Sequence, residues 1–202
     1  MGFVALAVAT LLVASLNLQW IPPSEGRIVA LALIAFVFPL QLSTSIFGLL
    51  ARDGVAGTAM AILAGTWLTT GLVMLTSPPG ATSQALGILF VISAVALAWP
   101  AIGASMGKIG VAVVLFGTVT RFATAGVYQL TGDGAWAVVT GWIGVALGMF
   151  ALYAALALLL EGVAKRPVLP MGRRGMGRMA AEGGLGAQII HLTHEPGVRQ
   201  QL

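Results

Sequence analysis

Arg121 stands near the middle of an apolar stretch that runs from Ile109 to Leu130. An ionisable side chain in such a setting costs at least a few kcal/mol and marks a candidate functional site. No acidic residue stands at comparable depth in another apolar stretch: Glu25, Asp53, Asp133, Glu161, Glu182 and Glu195 fall in breaks, at a stretch end or in the C-terminal tail. Arg121 must then be satisfied by water, by backbone carbonyls or by an anion. Thr118, Arg121, Thr124 and Tyr128 follow one another at three or four residues, so in a helix they share a face and could line an aqueous path. The competing reading is a shifted helix whose Arg121 snorkels to a headgroup or meets a neighbouring helix's carbonyl end. The polar stripe favours the path.

Other apolar stretches carry uncharged polar groups: Ser15 and Asn17, then Gln41, Thr44 and Ser45, then Thr66, Thr69 and Thr70. Such groups can replace part of a small solute's hydration shell without charging the bundle. They can equally bond between helices or back onto the carbonyl four residues earlier, and for any one of them that structural role is the commoner. The five tryptophans, Trp20, Trp67, Trp99, Trp136 and Trp142, are scattered, and those at stretch ends read as interfacial anchors. None is assigned a ligand. His191 and His194 stand three apart, but with no cysteine and no carboxylates in a ligand pattern no metal site is expected. The glycines between Gly172 and Gly186 lack the preceding strand and the Gly-Lys-Ser/Thr ending of a phosphate loop. There is no Ser/His/Asp arrangement and no pair of intramembrane carboxylates, so neither an enzyme nor a cofactor is expected.

The elements that must position these residues are membrane spans. A chain of 202 residues that is 58% hydrophobic and 8% charged, with mean hydropathy +1.00, cannot solvate a water-exposed surface. Six apolar stretches are legible: Gly2 to Trp20, Ile28 to Leu50, Val55 to Thr76, Ala85 to Ile102, Ile109 to Leu130 and Ala135 to Leu160. Each is read as long enough to cross roughly 30 Å of hydrocarbon as a helix. Pro22, Pro23 and Gly26, then Asp53 and Gly54, then Ser77 to Gly80 break them with turn chemistry, and the short breaks imply antiparallel neighbours. The first stretch lacks a basic leader and is read as a retained span. The fold class is therefore an all-α integral membrane protein of six transmembrane helices, residues 1–172, followed by a Gly-rich basic tail, 173–202, expected to be mobile.

Arg52, Lys108, Lys165, Arg166, Arg173, Arg174, Arg178 and Arg199 fall on one side of these spans and only Arg27 on the other. The positive-inside bias then puts both termini in the cytoplasm of a multi-pass protein of the inner or plasma membrane. The net charge of +4 reflects these loops and the tail, and no basic surface with interleaved aromatics suggests nucleic acid. Ala61 with Gly65 and Gly144 with Gly148 are spaced for close helix approach. Pro39 and Pro100 can bend the second and fourth spans, although a kink that only packs is the commoner outcome.

The segment Gly141-Trp142-Ile143-Gly144, then Tyr153, then Val168-Leu169-Pro170-Met171-Gly172 resembles the acetate uptake transporters, with a weaker similarity at Met1-Gly2-Phe3 and from Gln41 through Trp67. The resemblance spans roughly residues 1 to 172. It implies a six-helix protomer within a homo-hexamer, one pore per protomer, embedded among lipids and carrying acetate and related short carboxylates, often with protons. It also implies a constriction built from the first, third and fifth helices, which by position falls on Phe3 or Leu6, on Leu63 and on Thr118. The family's Phe, Tyr and Leu ring is thus altered here, the family's N-terminal Asn-Pro-Ala-Pro-Leu-Gly-Leu motif is not in this chain, and Arg121 is a further departure.

The reading that results is transport of acetate or a related small monocarboxylate, channel-like or proton-coupled, with Arg121, Thr118, Thr124, Tyr128, Gln41, Asn17 and Thr66 along the pathway. One alternative is a channel for neutral solutes such as urea or amides, against which Arg121 argues. A second is a membrane scaffold or sensor that acts through its basic tail.

Overall fold

The computed structural model describes residues 1–164 and 166–173. Helix α1 covers Gly2–Asn17. The second stretch is one rod in three pieces: α2 (Gly26–Ala32), a single π turn (Leu33–Val37) and α3 (Phe38–Leu50). It is followed by α4 (Gly54–Thr76), α5 (Gln84–Ser105), α6 (Ile109–Thr131) and α7 (Gly134–Ala164). The π turn ends just before Pro39, whose missing N–H and bulky ring disrupt the ordinary turn behind it. Pro100, by contrast, is carried inside α5.

Five of these rods, beginning with Pro23–Leu50, are long and apolar enough to cross a membrane. The protein is thus a multi-pass helical membrane protein. α1 departs from expectation: with 16 residues it extends only about 24 Å, short of roughly 30 Å of hydrocarbon. The apolar stretch extends to Trp20, but the chain leaves the helix after Asn17 and Gln19 turns with φ 57°. The breaks are capped locally: Asp53 accepts from the Ala56 N–H at 2.9 Å, Ser83 accepts from Leu86, and Gly132 ends α6 in the left-handed region at φ 72°.

Glycine governs how closely the rods approach. A Cβ on Gly48 would stand 2.9 Å from the Gly57 nitrogen, which fixes α3 against α4, and Ser45 Oγ donates to the Gly57 carbonyl at 2.8 Å beside it. A Cβ on Gly126 would meet the Gly87 carbonyl at 3.1 Å, setting α6 against α5. Gly144 and Gly148 are buried against Thr10 and Leu11 of α1. The other expected pair, Ala61 and Gly65, is exposed, and nothing lies within 4 Å of a Cβ on Gly65. The same spacing therefore serves contact in one helix and faces outward in another.

Residues 166–173 fold back onto the start of α6. Ile109 and Gly110 donate their N–H groups to the carbonyls of Gly172 and Met171 at 3.1 and 2.9 Å, Tyr153 Oη donates to the Pro170 carbonyl at 2.8 Å, and Arg173 pairs with Glu161. The VLPMG segment is thus a strap that satisfies otherwise orphaned N–H groups at the head of α6. Apart from Arg173 the expected tail lies outside the described residues, as do Lys165, His191, His194 and the acids Glu182 and Glu195.

A vestibule floored by a buried arginine

Arg121 projects from α6 into the bundle and is 1% exposed. Its Cζ lies 5.1 Å from the ring centroid of Trp67 on α4, a cation–π contact of the kind that gains strength away from water. On its other side stands Gly144 of α7, where a Cβ would come 3.0 Å from Arg121 Nε and 3.2 Å from the Thr10 carbonyl. The absent side chain at Gly144 is what makes room for the guanidinium. Among the described residues neither Nε nor Nη2 of Arg121 has a hydrogen-bond partner, and Trp67 Nε1 and Thr140 Oγ1 are likewise buried without one. Unsatisfied groups of this kind are costly in a low-dielectric interior, and these three side chains border one space.

The space they border is a cavity of about 650 Å³ that opens among the first, third and fifth breaks. Arg121, Trp67 and Thr140 line it together with Asn17, Thr70, Tyr128 and Gln129, and among the described residues no Asp or Glu does. Gln129 Oε1 also accepts the Ser83 N–H at 2.7 Å, which ties the rim of α5 to α6. Trp20 and Trp142 stack edge to face, 5.9 Å between centroids, and both also line the cavity.

Arg121, Tyr128 and Asn17 thus meet in one cavity, whereas Thr124 is half-buried, donates to the Arg121 carbonyl at 3.0 Å and is not among the lining residues. The cavity-facing positions of α6 are Arg121, Ala125, Tyr128 and Gln129, the i, i+4, i+7 and i+8 face.

Thr10, Trp67, Arg121 and Gly144 share one level, as their contacts require. One turn toward the opposite face on the parallel helices α1, α4 and α6 come Leu6, Leu63 and Thr118, each 0% exposed. Gln41 falls at about the same height: α3 runs antiparallel to α4 with Gly48 at Gly57, a register that sets Gln41 at the level of Leu63. Gln41 is 0% exposed and both its amide atoms are without partners. Phe3 is half-buried against the same core, a further turn down α1. Thr66, another pathway candidate, donates its hydroxyl to the Ile62 carbonyl at 2.7 Å, and its Oγ1 lies 3.2 Å from Ser93 Oγ.

Sequence reasoning left Trp67 without a role and did not connect Gly144 or Thr140 with Arg121. The signal was present in part, since Trp67 lies well inside its stretch and not at an end where an anchor belongs.

The described residues form a helical membrane bundle with a cavity open at one face, a buried arginine at its floor and a fully buried level beneath, a plan that membrane channels and transporters share. Among solved structures, the chain is similar to the bacterial acetate channel SatP, with a TM-score of 0.75 and 25% sequence identity over 85% of this chain and 96% of that chain. The resemblance to the acetate uptake transporters therefore holds in three dimensions. No family model matches the sequence, and no curated protein matches it.

Proposed function

We propose that this protein carries acetate or a closely related small monocarboxylate across the membrane, with Arg121 as the anion site. The observation that carries the reading is a guanidinium whose Nε and Nη2 have no partner, at the floor of a cavity that no carboxylate lines among the described residues. A neutral amide would gain little from that charge, whereas a carboxylate would supply the acceptors that Arg121, Trp67 Nε1 and Thr140 Oγ1 lack. The likeness to an acetate channel supports the choice of anion.

In this mechanism the hydrated anion enters the vestibule past Asn17 and Tyr128 and exchanges water for Arg121. It then passes the closed level of Leu6, Leu63 and Thr118, where the Gln41 amide offers a donor in place of water. Phe3 narrows the exit beyond. The positive-inside bias supports an orientation with the vestibule outside and both termini in the cytoplasm. The family resemblance supports a hexamer with one pore per protomer.

The experiment is uptake of labelled acetate, and separately of urea, into liposomes holding the purified protein, repeated with Arg121→Leu and Arg121→Lys. Saturable acetate flux is expected, with urea excluded, an Arg121→Leu loss of at least tenfold, and partial retention in Arg121→Lys, whose charge remains but whose planar fork is gone (on the order of 1.5–3 kcal/mol for a charged hydrogen bond). Urea flux without acetate flux would replace this reading with a neutral-solute channel.

A further inference from the structure

Among the described residues Arg27 is the one cation on the face that the positive-inside bias strips of cations, and it is exposed there in the first turn of α2. It also lines the vestibule whose floor is Arg121. Among the described residues it makes no salt bridge, and Glu25, two residues away, is not part of the lining. The cavity thus holds two guanidiniums and no carboxylate, one charge at the mouth in water and one at the floor out of it. A concave site walled by apolar side chains concentrates the field of such charges and draws in ions of opposite sign.

We propose that Arg27 is the capture residue of this vestibule, recruiting small carboxylate anions from water and delivering them to Arg121. This rests on the transport reading above and adds a division of labour: Arg27 sets how readily the anion arrives, and Arg121 sets whether it is held. A charge at the mouth works through space and is screened by salt, because the Debye length falls from about 30 Å at 0.01 M to about 8 Å at 0.15 M. Substitution there therefore alters the apparent KM at low salt and leaves Vmax in place.

The chain contains no cysteine, so Arg27→Cys gives a single reactive thiol that can be recharged after reconstitution. Acetate uptake is measured at about 0.01 M and about 0.15 M salt on Arg27→Cys liposomes, unlabelled or treated with a cationic or an anionic methanethiosulfonate. The unlabelled variant is expected to have an apparent KM roughly three- to tenfold above the parent at low salt, the cationic label to restore it and the anionic label to raise it further. The differences should shrink to about twofold or less at the higher salt, with Vmax unchanged throughout. Equal KM values in all three charge states, or an effect confined to Vmax, would overturn the capture role. If Arg121→Leu abolishes flux while the labels change nothing, capture alone falls; if the parent protein carries no acetate, the transport reading falls and takes capture with it.

Discussion

On the vestibule side of Arg121 the bundle encloses about 650 Å³ edged by Asn17, Tyr128, Gln129 and two arginines, whereas one turn beyond it Leu6, Leu63 and Thr118 are fully buried and do not line that space. The two sides also treat polar groups differently. On the open side, Arg121, Trp67 and Thr140 have polar atoms without partners. On the closed side the hydroxyls are satisfied from within: Thr118 donates to the Val114 carbonyl at 2.8 Å and Ser45 to the Gly57 carbonyl at 2.8 Å. Gln41 is the exception there, its amide orphaned at the closed level. The contrast teaches that a hydroxyl on a membrane helix can withdraw from a solute by bonding its own backbone, while a guanidinium or amide on a long stem more readily stays available.

The division is broken most severely by filling the space that separates the guanidinium from α7. In Gly144→Ala the new methyl would meet Arg121 Nε at 3.0 Å, the Ala14 methyl at 3.1 Å and the Thr10 carbonyl at 3.2 Å, and the last belongs to rigid backbone. Overpacking of this kind costs about 1–3 kcal/mol, and the side chain free to yield is the arginine. We expect acetate flux to fall at least tenfold and the thermal midpoint in detergent to drop. Gly65→Ala, where nothing lies within 4 Å, should do neither. Equal behaviour of the two variants would mean that Gly144 does not hold the site open.

A smaller effect with two opposite readouts is expected at Gln41. Replacing the orphaned amide by Leu removes unsatisfied buried polar atoms, whose burial costs roughly 1–3 kcal/mol, so Gln41→Leu should raise the thermal midpoint. If the amide replaces water around the passing anion, flux should fall several-fold in the same variant, the trade expected when stability is sacrificed to a site. A stabler protein with unchanged flux would make Gln41 a packing residue. A less stable one would mean that its amide has partners within the bundle.

How much of this was legible in the sequence depends on what each residue needs from its neighbours. The spans followed from long runs of apolar residues, and their bounds shifted by a few residues because turns such as Gln19 and Asp53 are set by local backbone geometry. Arg121 stood out because nothing in its own helix can neutralise it. Trp67 and Gly144 could not be paired with it, since that contact joins three helices whose rotation about their axes is fixed only by packing. The threonines were the least informative: Thr44, Thr66, Thr69, Thr70 and Thr118 all donate to the carbonyl four residues back, an option that helical spacing cannot exclude. Thr124 shares the helical spacing of Arg121 and Tyr128, yet the lining face passes through Ala125 instead.

Thr118 gives the smallest expected effect and the sharpest check on that last point. Its position matches the constriction implied by family resemblance, and its hydroxyl sits at the level of Leu6 and Leu63 with its hydrogen bond already spent on Val114. Thr118→Val keeps the branched shape and deletes the hydroxyl, while the Val114 carbonyl retains its place in the helix ladder. The net worth of that bond is about 0.5–1.5 kcal/mol, so a modest fall in thermal midpoint is expected, with acetate flux within about twofold of the parent. A flux loss near tenfold would mean that the hydroxyl leaves the Val114 carbonyl to meet the anion. In that case the closed level is a polar station as well as an apolar ring, and the contrast between the two sides of Arg121 is one of width and not of chemistry.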